Sequence, residues 1–303
     1  MTLGFLMASL LGQGRRMLQL SLDLQGVLWL LLGVGLSLLS LLVNGLAWAV
    51  VLRWLGQRPR WLAVVALHVS TNLRKYLPGG VWHLASRVQA LRDPAGSLPA
   101  PLPAPLATAP ALVSVLLDPL LAAVGALALM ALGGWQRGLG GLGLLPLLLL
   151  QPRLLEPLLL RLERRRARDL NLELEAPVRL GGYPWPPLLA ETLFVLLRFS
   201  GFACCVAAFD LQLSLEWTAW LAGFVLAWTA GLVVPGAPGG LGVFETVLLL
   251  RLGGTLPEAS LLAVALSYRM IVTAADGLAA GLVNADARLA ATGAAPAASG
   301  SDS

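Results

Sequence analysis

Apolar residues run along this chain in blocks too long for a strand and too uniform for the single stripe of a surface helix. The windows 26–52, 106–133, 139–160, 187–209, 217–235 and 258–282 hold few charges or none. At about 1.5 Å per residue, a helix of roughly twenty residues crosses a hydrocarbon core of about 30 Å. The polar positions fall between these windows, apart from two interruptions of another kind. "NLRKYLPGGVWHLASR" at 72–87 and "VVPGAPGGLG" at 233–242 place Pro and Gly where a helix would otherwise continue. Proline removes a backbone donor and glycine adds freedom, so each stretch predicts a break between two short helical arms.

Composition supports a membrane setting. Of 303 residues, 57% are hydrophobic and 12% charged, and the mean hydropathy is +0.79. A soluble domain carries about 25% charged residues. The chain reads as an all-α polytopic membrane protein. Cys204 and Cys205 are adjacent within an apolar window, which provides neither a disulfide framework nor metal-ligand spacing. The sequence pI of about 10.0 fits basic cytoplasmic loops and anionic lipid rather than nucleic acid. Residues 1–25 form an N-terminal segment whose short apolar stretch, 2–11, reads as a truncated span. Residues 284–303 read as a low-complexity, disordered tail.

Loop charge sets the expected topology. "RLERRRAR" at 161–168 is the strongest basic block and places 161–186 in the cytoplasm as a basic loop. The loop 210–216 holds Asp210 and Glu216 and no cation, which suits the outside. Loop 53–60, with Arg53, Arg58 and Arg60, and the Pro-rich loop 92–105 then share the cytoplasmic side, so 61–91 enters and returns. Residues 217–252 have the same build. Each half reads span, broken hairpin, span: 26–133 and 187–283, joined by a linking span at 139–160 that inverts the second half. Interrupted segments at matching positions of inverted halves point to a transporter-like binding site. The alternative is that both breaks are ordinary tight turns between tilted helices.

The two interrupted stretches, together with "ALSYRMIVTAADGLAAGL" at 265–282, resemble the lysylphosphatidylglycerol synthase transmembrane-domain family, also called flippase-like. The resemblance covers about 26–283, and "PGGLGVFE" (238–245) and "YR" (268–269) are its most specific parts. It implies a lipid translocator. In fused enzymes of the family this domain moves aminoacylated phosphatidylglycerol, and other members accompany glycosyltransferases or hopanoid synthesis. Nothing in this chain corresponds to the fused soluble transferase domain.

A charge at mid-bilayer is disfavoured by roughly 2.5–3.5 kcal/mol on insertion scales, so each one asks for a reason. Glu191 and Arg198 lie seven apart, as do Arg269 and Asp276, and about two helical turns put each pair on one face. Glu245 and Arg269 match the family motifs and are expected to form an ion pair, either as a gate or merely to lock two helices. A charge swap between them is expected to restore part of what neutralising either removes. Asn72, Arg74, Lys75 and Arg87 flank the first break and are expected to receive an anionic head group; the alternative is that the cations snorkel to the interface. The helix-breaking positions are Pro78, Gly79 and Gly80 in the first segment, and Pro235, Pro238, Gly239, Gly240 and Gly242 in the second. Asp118 precedes Pro119 in mid-span, which predicts a kink there. His68 and His83 read as packing or proton-coupling residues.

Other signals are decoys. "GLGGLG" at 138–143 fits a dinucleotide fingerprint but has no preceding strand, and "GLAAG" at 277–281 is a helix-packing face. There is no phosphate-binding P-loop, zinc-protease motif or nucleophile elbow. No catalytic residue, metal or cofactor is expected. The sequence favours a translocator of an anionic or lipid-phosphate substrate in the cytoplasmic membrane of a prokaryote, with a cytoplasmic C-terminus. Its partners would be membrane lipids and a lipid-synthesising enzyme or glycosyltransferase. The competing readings are a membrane-embedded transferase and an accessory subunit.

Overall fold

A computed structural model describes residues 23–76, 82–94, 99–134, 140–169, 180–234 and 240–293, and among them every regular element is helical. The helices are α1 (Leu24–Trp54), α2 (Trp61–Asn72), α3 (Trp82–Arg92), α4 (Thr108–Gly134), α5 (Leu145–Leu149), α6 (Pro152–Asp169), α7 (Trp185–Ala208), α8 (Trp217–Val233), α9 (Val243–Leu252) and α10 (Glu258–Gly293). Four of them (α1, α4, α7 and α10) are long and apolar enough to cross a bilayer. The protein is thus an all-α chain with the build of a multi-pass membrane protein.

Helix ends follow local chemistry. The Asp23 carboxylate caps α1 by accepting from the Gly26 amide at 2.6 Å. The helix then lies along α7, where small residues bring the backbones together. A Cβ on Gly201 would stand 2.9 Å from the Ser37 hydroxyl, and one on Gly33 would stand 2.9 Å from Ile271. Two buried apolar clusters fill the interior. One is built mainly from α1–α4 with α6, around Trp48, Leu91 and Leu117. The other is built mainly from α7–α10, around Phe202, Phe224, Phe244 and Tyr268.

Both interrupted segments double back. The amide of Arg60, entering α2, donates to Pro101 O at 2.9 Å, and the amide of Leu106 donates to Leu91 O near the end of α3 at 2.9 Å. Both ends of 61–92 are therefore held by the same linker. Further along, Thr71 on α2 meets Arg87 on α3 at 3.2 Å, so the arms run side by side. In the second segment, α8 and α9 pack at Gly231 against Gly240 and at Gly223 against Leu252. Gly240 has φ +72°, and a Cβ there would come within 2.9 Å of Gly231 Cα. Only glycine combines that backbone with that approach. Pro78, Gly79, Gly80, Pro235, Pro238 and Gly239 lie outside the described residues, as does most of the N-terminal segment 1–25.

Three expectations change. The linking span 139–160 is not one straight crossing, because Gly141–Leu149 and Pro152–Asp169 are bent by 76°. Pro152 has no amide to continue the ladder and disfavours helix at the residue before it. The helix therefore stops at Leu150 and restarts on the Gln151 carbonyl, which accepts from Leu154 and Leu155 at 2.8 Å. The basic block is helical as far as Asp169 rather than a loop. On α6, Leu155, Leu159 and Ala167 are buried while Arg161, Arg164, Arg165 and Arg168 are exposed. Third, α10 continues to Gly293, ten residues past the expected boundary at 283; residues 294–303 lie outside the description. Pro119 sits inside α4 without ending it.

Two measurements check the hairpins. In a background with Cys204 and Cys205 replaced by Ala, Gln57→Cys and Ala104→Cys should react with an impermeant maleimide from the same side of the membrane; reaction from opposite sides would show that 61–92 crosses. Gly240→Ala should lower stability by at least about 1–2 kcal/mol from its left-handed backbone alone. Gly254→Ala, where no atom lies within 4 Å of an added Cβ, is the control. Thermal unfolding in detergent reads both.

Candidate ionic centre

Charged side chains from both hairpins and three long helices meet in the interior as separate sets. The first joins α1, α3, α4 and α7. Arg87 Nη1 lies 3.2 Å from Asp118 Oδ2, and both residues are buried. The rest of the guanidinium donates to Thr71 Oγ1 at 3.2 Å and to the His68 carbonyl at 3.4 Å. The Trp48 ring stacks beneath it, 5.3 Å from Cζ. The Asn44 amide then donates to two carboxylates at once, Asp118 Oδ1 and Glu191 Oε2, each at 3.2 Å. Glu191 is 0% exposed, and its Oε1 has no hydrogen-bond partner.

The second set centres on Asp276 of α10. Lys75 Nζ reaches its Oδ2 at 2.6 Å, Tyr76 donates to the same oxygen at 2.7 Å, and Asn72 donates to Oδ1 at 2.9 Å. All three donors come from the end of the first hairpin's descending arm. The third set pins the second hairpin to α10. Arg269 Nε donates to Glu245 Oε1 at 2.9 Å, and its Nη2 donates to the Gly240 carbonyl at 2.6 Å. The other Glu245 oxygen accepts the Gly242 amide at 2.8 Å, closing the first turn of α9. Gly240 and Gly242 both have positive φ, which aims a carbonyl and an amide at this pair.

Arg198 stands apart. It is 5% exposed, its guanidinium lies over Phe194 with Cζ 5.5 Å from the ring centroid, and its Nη1 has no hydrogen-bond partner. Its charge is felt at Asp276 and Lys75, but both oxygens of Asp276 already accept from Asn72, Tyr76 and Lys75. Arg198 is therefore a buried cation with donor capacity to spare.

The expected residues are thus distributed unevenly. Glu245 and Arg269 pair directly. Glu191, Arg198 and Asp276 are buried, as the shared helical faces suggested, and Asp118, expected only at a kink, is buried as well. The proposed head-group quartet does not converge on one point. Asn72 and Lys75 serve Asp276, and Arg87 serves Asp118. Arg74 is exposed and donates to Ser86 on the facing arm. Successive residues at the end of a helix point in different directions, so adjacent cations rarely grip one anion. Asn44 was not anticipated, because a lone Asn in an uncharged window gives no signal of its partners. Among the described residues, no group of three or more His, Cys, Asp or Glu side chains could hold a metal ion. The chain matches no protein-family model and no curated protein sequence.

The geometry reverses the expectation for the charge swap. Glu245 accepts from a backbone amide and Arg269 donates to a backbone carbonyl, so exchanging them sets each against a group of its own kind. Removing one partner of a buried pair costs about 3–5 kcal/mol. Glu245→Ala and Arg269→Ala should each lose stability toward that range, and the double variant should lose less than their sum. The swapped protein should be no more stable than either single variant. Denaturation of the four proteins in one detergent provides the check.

Proposed function

We propose that the protein is a lipid translocator of the flippase-like type, carrying an anionic or lipid-phosphate head group across the cytoplasmic membrane of a prokaryote. The observation that carries this reading is Arg198, a cation buried at 5% exposure with Nη1 unpartnered. A head group cannot cross about 30 Å of hydrocarbon bare, because an unpaired charge in an apolar medium is strongly disfavoured. A fixed guanidinium replaces water around phosphate with planar, charge-assisted hydrogen bonds.

On this reading the hairpins 61–92 and 217–252 are re-entrant, belong to inverted halves, and line a polar groove open sideways to the lipid. Arg74, exposed on the first hairpin, meets the head group before Arg198 does. The Glu245–Arg269 pair closes the other side. The family resemblance points the same way, with a lipid-synthesising enzyme or a glycosyltransferase as the partner that supplies the lipid. An embedded transferase would need an accessible carboxylate to meet its soluble donor. Glu191, Glu245 and Asp276 are all at most 1% exposed, which weighs against it.

Purified protein in liposomes should speed the movement of phospholipid or polyprenyl-phosphate reporters. Arg198→Gln should slow that movement by about tenfold to a hundredfold, the loss expected for a hydrogen bond to a charged group of about 1.5–3 kcal/mol. Its unfolding temperature should stay near the parent's. If no reporter moves faster than in empty liposomes, the translocator reading fails and the accessory-subunit reading replaces it.

A further inference from the structure

Helix α6 divides sharply by register. Leu155, Leu159 and Ala167 are buried in the first-half cluster. Arg153, Arg161, Arg164, Arg165 and Arg168 are exposed, and 3.6 residues per turn puts them within one arc of about 120° on the opposite side. That arc holds no acidic residue, and the helix as a whole carries six arginines against three acidic residues. Arg161 and Arg168 each stand three and four residues from Arg164 and Arg165, the spacing at which like charges repel. The helix dipole favours cations only in the last turn, and Arg161 is about two turns before the end. The stack therefore calls for an anion from outside the helix.

The neighbours of α6 say where that face lies. The helix leaves Gly141–Leu149 at 76°, and Gly143 in that segment abuts the Leu127 carbonyl of the long apolar helix α4. Its start is tied to the entrance of α7. Glu156 accepts the Leu180 amide at 2.8 Å, and Tyr183 donates to the Leu147 carbonyl at 2.9 Å. The Tyr183 ring lies 4.5 Å from that of Trp185, the exposed first residue of α7. Tyr and Trp gather where a span meets the head groups. Leu145, Leu148, Leu149 and Leu154 are exposed as well, and in a membrane such a patch is covered by hydrocarbon. Lipid thus reaches the start of the arginine face, at the level where a span ends.

We propose that α6 lies in the membrane interface and that Arg161, Arg164, Arg165 and Arg168 form a docking surface for anionic phospholipid of the leaflet it borders. The aliphatic stems of the arginines lie along the acyl boundary, while the guanidinium groups rise to the phosphates. A planar guanidinium grips a phosphate through two parallel hydrogen bonds, and a row of four spreads over several head groups. A soluble acidic protein would need this face to stand clear of the bilayer, and the level of Trp185 and the exposed leucines does not give it that. The lipids held here stay at the rim and are not carried across. The inference needs only a membrane setting, so it stands or falls apart from the translocator reading.

The test uses the full chain in nanodiscs, with Cys204 and Cys205 replaced by Ala and a fluorophore attached through Leu154→Cys, beside the arginine face. In an equal mixture of phosphatidylglycerol and phosphatidylcholine, a quencher carried on the phosphatidylglycerol head group should dim the label several-fold more than the same quencher carried on phosphatidylcholine. Arg161→Gln, Arg164→Gln, Arg165→Gln and Arg168→Gln together should make the two lipids equal, and the same four changed to Lys should keep most of the preference, because net charge supplies most of it at a surface. Arg161→Gln and Arg165→Gln singly should each lower the preference, by at most about fivefold, and they carry the test if the fourfold variant fails to fold. High salt should weaken the preference in the parent. Equal dimming by the two lipids in the parent, or a preference that survives all four Gln changes, overturns the docking surface. So does displacement of the quenching lipid by inorganic phosphate at equal concentration, which would mark a general phosphate site. Dimming by aqueous iodide but by neither lipid also overturns it, since the face would then stand in water, open to a soluble acidic partner.

Discussion

An ion in an apolar interior needs a partner within reach, and in this chain the partner almost always belongs to a different element. Lys75 of the first hairpin is held by Asp276 of α10, Arg87 of the same hairpin by Asp118 of α4, and Glu245 of the second hairpin by Arg269 of α10. The hairpin arms are short, α3 at 11 residues and α9 at 10, so each buries little apolar surface of its own. Where lipid replaces water, apolar burial between helices loses most of its driving force as well. Ion pairs that are costly to break then do what a larger core does in a soluble protein: they set where each hairpin sits and at what depth.

Packing supplies the rest, with different means in the two halves. In the second, Phe202, Phe224, Phe244 and Tyr268 form a closed aromatic set, with adjacent rings 5.0 to 6.2 Å apart. Phe244 also lies beneath Arg269, whose Cζ is 5.1 Å from the ring centroid, so apolar packing and ionic locking meet at one residue. In the first half Trp48 has that position, beneath Arg87. Each hairpin is thus fixed to a neighbouring helix by an arginine that lies on an aromatic ring and pairs with a carboxylate across the contact.

The helices were legible because a membrane window is a statement about composition, and composition is read directly. Expected windows 26–52, 187–209 and 217–252 became Leu24–Trp54, Trp185–Ala208 and the pair Trp217–Val233 with Val243–Leu252. Helical spacing also put Glu191 and Arg198 on a common inward face, and motif resemblance found the Glu245–Arg269 pair. Partners across the fold were not legible. Asn72 and Asp276 are 204 residues apart, and no local pattern says which of several buried carboxylates a given cation will meet. The linking segment failed for a local reason: its hydropathy is continuous, while a single proline at 152 decides the bend. Hydropathy reports what can enter a bilayer and is silent on whether the backbone stays straight inside it.

That separation between what a residue costs and what it does applies most directly to α7. A helix carrying Glu191 and Arg198 with neither directly paired is less stable than one with Leu at both positions, since each leaves a polar atom unbonded in the interior. Purely structural ion pairs would have been placed in contact, as they are at Lys75–Asp276. The hairpin carrying Arg87 meets Asp118, which the Asn44 amide joins to Glu191, so the charge at Glu191 bears on where that hairpin sits. Charge on α7 and position of the first hairpin are thus joined by contacts already present in the fold, from Glu191 through Asn44 and Asp118 to Arg87.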